Sequence, residues 1–330
     1  MSVTARLDGF QRRHSWLGFP LAVVYKFVDD QGGYLAALIT YYGFVSLFPM
    51  LLLMVSVLGF TLESNPGLQQ ALLGSALQQF PIIGPQLQQN LDSIHGSRLA
   101  VILGIVGAVY GGLGVSVAIQ SAFNQIWAVP RYARPDPVLS RIRGLLLFAL
   151  LGGLVLITTA LSAAGPVAAS FGYGGITVRI VGIAVAMIAN MGAFLIAFRV
   201  LTARDIRLVD LIPGAVCAGF AVQMLQVGGA LFVSYALNGA SQTYGVFGLV
   251  LGLLAYLYLQ AVTVVFCAEI NAVRARRLWP RSLLTPFIDD VALTPADRAS
   301  YRFHVGAERF KSFEQVQTTF DHQPPANDKP

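Results

Sequence analysis

The chain has 330 residues, 55% of them hydrophobic and only 12% charged, with a formal net charge of +6. Ordinary soluble domains carry a charged share of about a quarter, so the composition excludes that class and points to membrane integration. The mean hydropathy of +0.66 agrees, and a pI near 9.5 marks a topology signal rather than a nucleic-acid face, because the basic residues sit beside long apolar stretches.

Residues 1–33 precede the first of these stretches. Between Trp16 and Gln31, Leu17, Leu21, Val24 and Val28 recur near helical spacing, with Lys26, Asp29 and Asp30 expected elsewhere on the surface. The segment reads either as an interfacial helix or as a plain extension of the first span, and Gly32 and Gly33 would allow a turn. The apolar run that follows is far longer than a signal-peptide core, so the N-terminus is expected to be retained.

Spans are expected at Tyr34–Phe60, Leu99–Trp127, Gly144–Ala169, Ile180–Phe198, Leu211–Tyr235 and Val246–Ala268. At 1.5 Å per residue these suit a hydrocarbon layer of about 30 Å. Of the 22 Lys and Arg residues, all but Arg98 and Arg179 fall on one side: Arg6, Arg12, Arg13 and Lys26 before the first span, Arg131, Arg134, Arg141 and Arg143 after the second, Arg199, Arg204 and Arg207 after the fourth, and the rest from Arg274 onward. The expected fold is therefore all-α and polytopic, with six transmembrane helices and both termini cytoplasmic. Residues 34–277 form the transmembrane domain, 61–97 an external segment of two short amphipathic helices, and 278–330 a polar cytoplasmic tail.

Within the spans, Pro49 should kink the first helix beyond Tyr41 and Tyr42, a feature that borders a cavity or is only structural. Gly107 with Gly111, and Gly248 with Gly252, have GxxxG spacing suited to close helix packing; no lysine follows them to make a phosphate loop. The buried amides Gln120, Asn124, Asn190, Gln223, Gln226 and Gln260 should face the bundle interior, as hydrogen-bonding glue or as the polar lining of a passage. Glu269, followed by Asn271, touches the inner end of the sixth span. An intramembrane acid is a functional candidate, while a structural ion pair with Arg274 or Arg277 is the plainer role. The candidate pathway or gate is Tyr41, Tyr42, Pro49, Asn124, Gln223, Gln260, Glu269 and Asn271.

No catalytic residue, metal site or cofactor is expected. Cys217 and Cys267 fall within spans, and His14, His95, His304 and His322 are scattered without metal-ligand spacing. Neither a Walker motif nor a nucleophile elbow occurs.

Three stretches carry a resemblance. ALITYYGFVSLFP at Ala37–Pro49, FNQIWAV at Phe123–Val129 and YGVFGLVLGLLAYLYLQAVTVVFCAEIN at Tyr244–Asn271 are similar, in order and spacing, to the YihY/BrkB family of bacterial inner-membrane proteins. Cys267 stands where the family usually has glycine, and Tyr256 where tryptophan is common. The resemblance implies a six-helix, multi-pass protein of the bacterial plasma membrane. Members have carried a ribonuclease BN label, and some are discussed as virulence factors or candidate transporters of envelope lipids. A nuclease is disfavoured because this chain has no His and Asp cluster for two-metal chemistry. The expected function is translocation of an envelope lipid or other amphipathic molecule between leaflets without an ATPase of its own. The alternatives are a membrane scaffold or accessory subunit of an envelope complex, and, behind both, a lipid-modifying enzyme. Expected partners are membrane lipids, and either a second copy or envelope proteins; nucleic acid is not among them.

Overall fold

The computed structural model describes residues 3–61, 98–147, 176–232, 238–288 and 291–320, and among these every regular element is helical. In chain order they are α1 (Val3–Arg13), α2 (Ser15–Asp29), α3 (Gly32–Thr61), α4 (Arg98–Ile126), a 3-10 turn (Arg131–Ala133), a helical segment over 137–147, α5 (Ile176–Leu201), α6 (Leu208–Phe232), α7 (Asn238–Arg276) and α8 (Pro295–Ala307). The rest of the expected third span and the external helices within 62–97 lie outside the described residues.

Large apolar side chains point outward on the long helices, among them Val106, Tyr110, Ile188, Val209 and Phe247, while Ser116, Gln120, Asn124, Glu269 and Asn271 are buried. That pattern is the reverse of a water-soluble bundle and suits a lipid surround. Among the described residues, Gly104–Ile126, Leu208–Gln226 and Val250–Arg276 are long and apolar enough to cross a membrane, and α3 and α5 add the shorter apolar stretches Gly32–Leu47 and Met187–Leu201.

Two readings are refined. The segment before the first span is a separate helix, α2, packed against α1 and α7. It ends in a turn where Gln31, not a glycine, takes the left-handed conformation (φ 56°). Gly32 is needed for another reason: the Phe27 ring occupies the space a Cβ there would fill. The helix that carries the last span also begins before Val246, although its stretch apolar enough to cross a membrane is Val250–Arg276. With no proline to interrupt it, α7 runs 39 residues from Asn238.

The α3 and α4 helices pack as a seam of small residues. A Cβ at Gly107 would stand 2.7 Å from Pro49 Cβ, one at Gly111 would stand 2.6 Å from Ser46 Cα, and one at Gly114 would run into the Tyr42 ring. Gly252, by contrast, faces open space within 4 Å, so it forms no close helix contact among the described residues; Gly248 is partly buried. At the end where α4 and α5 finish and α6 begins, Phe123, Ile126, Phe198, Leu201, Leu211, Val265, Ala268 and Ala272 form the core.

The tightest crossing lies between α6 and α7. A Cβ at Gly214 would collide with the Cys267 carbonyl oxygen and the Asn271 amide. Both are fixed, the first as backbone and the second by accepting the Gly214 N–H at 2.7 Å. Gly214→Ala is therefore expected to destabilise the bundle by at least about 1–3 kcal/mol, read as a lowered unfolding midpoint in mixed micelles; an unchanged midpoint would show that the crossing is loose.

Candidate functional site

Where α2, the end of α4 and α7 meet, a cluster of charges is buried. Lys26 near the end of α2 is 3% exposed, Asp30 in the following turn 2% and Glu269 on α7 0%. Lys26 Nζ donates to Asp30 Oδ2 and, at 3.1 Å, to the Ile126 carbonyl at the end of α4. It stands 3.6 Å from Glu269 Oε2. Gln125 ties α4 to the same turn by donating to the Asp30 carbonyl at 2.7 Å. One ammonium thus serves two carboxylates in a volume sealed from water, and neither Glu269 oxygen has a hydrogen-bond donor.

This arrangement replaces two expectations. Lys26 and Asp30 are interior, not surface, residues, and Glu269 pairs with Lys26 rather than with Arg274 or Arg277. The reason is packing: α2 lies against α7 and delivers its lysine to the carboxylate. Burial acts to lower the Lys26 pKa, but the charges of Glu269 and Asp30 outweigh it and the value is raised. For Asp30, burial acts upward, yet the Lys26 ammonium and His304 hold it below the usual carboxylate range.

The tail closes over this end of the bundle. Arg281 is 1% exposed; its Nε donates to Asp297 Oδ1 at 2.7 Å and its Nη1 to Asp29 Oδ2 at 2.5 Å. Burial would lower the Arg281 pKa, but its carboxylate partners raise it; Asp29 is raised, its burial outweighing the arginine beside it. Asp297 also caps α8: its Oδ2 accepts the Thr294 N–H at 2.9 Å while Thr294 Oγ1 accepts the Asp297 N–H at 3.1 Å. Tyr25 Oη and Asp8 Oδ1 each accept a backbone N–H from the tail at 2.8 Å, from Leu284 and Leu283 respectively. From α8, the Phe303 ring lies 4.3 Å from the Arg276 guanidinium, which donates to the Trp127 carbonyl. His304 Nδ1 approaches Asp30 Oδ1 at 3.6 Å. That contact raises the His304 pKa against the opposing effect of its partial burial.

Beside the cluster is an open groove of about 460 Å³ between the α2–α3 turn and α7, lined by Phe27, Val28, Gln31, Tyr34, Ala37 and Tyr258 among others. Tyr34, Val28 and Tyr258 are exposed, so the groove opens on the outside of the bundle. Its polar end adjoins Asp30 in the chain.

The sequence candidates divide into separate groups. Glu269 belongs to the cluster. Asn271 and Asn124 lie at the same end and hold backbone: Asn124 Oδ1 accepts the Ala203 N–H at 2.8 Å, as Asn271 does for Gly214. Gln120 is glue of the same kind, donating to Ser116 Oγ and the Ser140 carbonyl. Tyr42 and Pro49 pack into the α3–α4 seam, and Tyr41 is exposed on its outside. Gln223 on α6 and Gln260 on α7 are partly buried. Lys26, Asp30, Arg281, Asp297 and His304 were not singled out from sequence. Two signals were present: an i, i+4 Lys–Asp pair on an otherwise apolar helix, and the Thr-Pro-x-Asp start of a capped helix.

A family model for the virulence factor BrkB matches residues 23–285, a stretch that takes in Lys26, Asp30, Glu269 and Arg281 but stops before α8. An uncharacterized protein of Dickeya dadantii (strain 3937) is 26% identical over 260 residues, covering 74% of this chain and 79% of that protein. The inner membrane protein YhjD of Escherichia coli (strain K12) is 27% identical over 262 residues, covering 74% of this chain and 77% of that protein. No solved structure matches the chain.

Proposed function

Because this chain belongs to the virulence factor BrkB family of membrane proteins, we propose that it translocates an amphipathic envelope molecule, with membrane lipid as the leading substrate class, between the leaflets of the bacterial inner membrane. In this reading six helices span the bilayer and both termini lie in the cytoplasm, at the basic end of the bundle. The observation that carries it is the groove beside the α2–α3 turn. Its apolar walls and outward opening suit acyl chains that remain in the bilayer, and the exposed Gln31 in its lining gives a headgroup something polar to meet. The chain is assigned no catalytic step.

Reconstitution into vesicles with fluorescent lipids of several headgroups tests this. The wild type is expected to accelerate transbilayer movement over empty vesicles, and Ala37→Trp, which fills the groove, to reduce that rate several-fold. No acceleration with any headgroup would overturn the proposal.

A scaffold role draws support from the segment after α8, where Phe310 is 60% and Phe313 85% exposed. Phe310→Ser with Phe313→Ser separates the two: a scaffold loses its partners, whereas a translocator keeps its rate.

A further inference from the structure

A line of titratable groups leads from the surface into the sealed cluster. His304 on α8 has a side chain 50% exposed, and its Nδ1 is 3.6 Å from Asp30 Oδ1. Asp30 Oδ2 is bonded to Lys26 Nζ, and Lys26 Nζ is 3.6 Å from Glu269 Oε2. The neighbours of Glu269 on α7, Val265, Ala268 and Ala272, are fully buried in the apolar core.

A carboxylate with a purely structural role is held by donors, because leaving buried oxygens unpaired is costly. Glu269 has none. Its negative charge faces the Asp30 carboxylate as well as Lys26, and Lys26 is already committed to Asp30 and to the Ile126 carbonyl. We propose that Glu269 is a proton-binding site loaded from the α8 side, with His304, Asp30 and Lys26 as its relay.

The transfer balances without any co-reactant. The imidazolium of His304 gives its Nδ1 proton to Asp30 Oδ1 and recovers one from water; Lys26 gives a proton to Glu269 Oε2 and takes one from Asp30. Only N–H and O–H bonds are exchanged, and one proton passes from solvent to Glu269. Loading removes one of the two negative charges that share Lys26, leaving Lys26 and Asp30 as a balanced pair. The other charged groups around the cluster are Asp29 on α2, Arg276 on α7, Arg204 between α5 and α6, and Arg281 with Asp297 from the tail. α4 contributes the uncharged Ile126 carbonyl and Gln125. The site stands whatever the chain carries; in a translocator it would supply the coupling ion.

Infrared difference spectroscopy on the full-length protein in vesicles, with glutamate side chains labelled with carbon-13, tests the site directly. Between about pH 9 and about pH 5, the wild type is expected to gain a label-sensitive carboxyl band at the high frequency of a carboxyl without hydrogen bonds, unlike that of Glu308, which pairs with Arg131, or of Glu314, which accepts backbone N–H groups. Glu269→Gln should abolish it. After a pH jump, His304→Ala should slow its appearance by about tenfold or more while leaving its final amplitude intact. The absence of such a band in the wild type, or its survival in Glu269→Gln, overturns the site. An unchanged rise time in His304→Ala overturns the route. The wild-type spectrum carries the decision if the Glu269 variant fails to fold.

Discussion

Asp297→Ala is expected to cost about 3–5 kcal/mol of stability, the largest loss from any single tail substitution. It removes the carboxylate from Arg281 Nε and the acceptor of the Thr294 N–H that completes the α8 capping box, and the guanidinium, 1% exposed, stays inside with Asp29 as its remaining ion partner. Stranding half of a buried ion pair is far more damaging than removing both halves, so Asp297→Leu combined with Arg281→Met should recover most of the loss. Unfolding in mixed micelles, together with protease cutting in the tail, measures both effects. A loss below about 1 kcal/mol, the scale of an exposed ion pair, would mean that the arginine reaches water. For the same reason, deleting residues 283–330 would not isolate the tail's role, since it leaves Arg281 inside without Asp297.

Lys26→Met should be nearly as severe, about 3–5 kcal/mol at neutral pH, because it leaves Asp30 and Glu269 without their shared ammonium. Adding Glu269→Gln should return part of the loss; a coupling of about 0.5–3 kcal/mol in the double-mutant cycle would measure their interaction. The pH dependence follows from the shifts. The Lys26 pKa is raised in the folded state, so its contribution is full below the ordinary 10.5 and is lost as pH climbs through the higher folded value. That of Asp30 is lowered, so its contribution is full above the ordinary 3.8 and is lost as pH falls through the lower folded value. The wild type should therefore hold the Lys26–Asp30 part of this contribution between those limits, and Lys26→Met should lose it throughout. Equal stability of the two chains at neutral pH would sink the account.

The helices were legible because long apolar runs and the one-sided distribution of Arg and Lys report local composition. Gly107 and Gly111 showed close packing through spacing alone, but the same spacing at Gly248 and Gly252 carried no information about whether a neighbour stands opposite. Glu269 was visible as an acid at a span's end. Its partner was not, because Lys26 lies on a different helix, and amphipathic periodicity treats a lysine on α2 as a polar surface residue. The tail misled by composition: rich in Pro, Asp and Arg, it reads as solvated, yet Arg281 is buried because charge on Asp29 and Asp297 meets it from two elements. Long-range ion pairing leaves no period in a sequence.

The length of α7 has a mechanical consequence. At 1.5 Å per residue its 39 residues make a rod of about 58 Å, with no proline hinge between the groove wall at Tyr258 and the cluster at Glu269. Any tilt imposed beside Tyr258 must therefore reach Glu269 undiminished in angle. Pivoted at Tyr258, a rotation of about 10° would carry Glu269, about 16 Å further along the rod, through about 3 Å, enough to move the carboxylate away from its lysine. The groove and the charges are thus two stations on one lever.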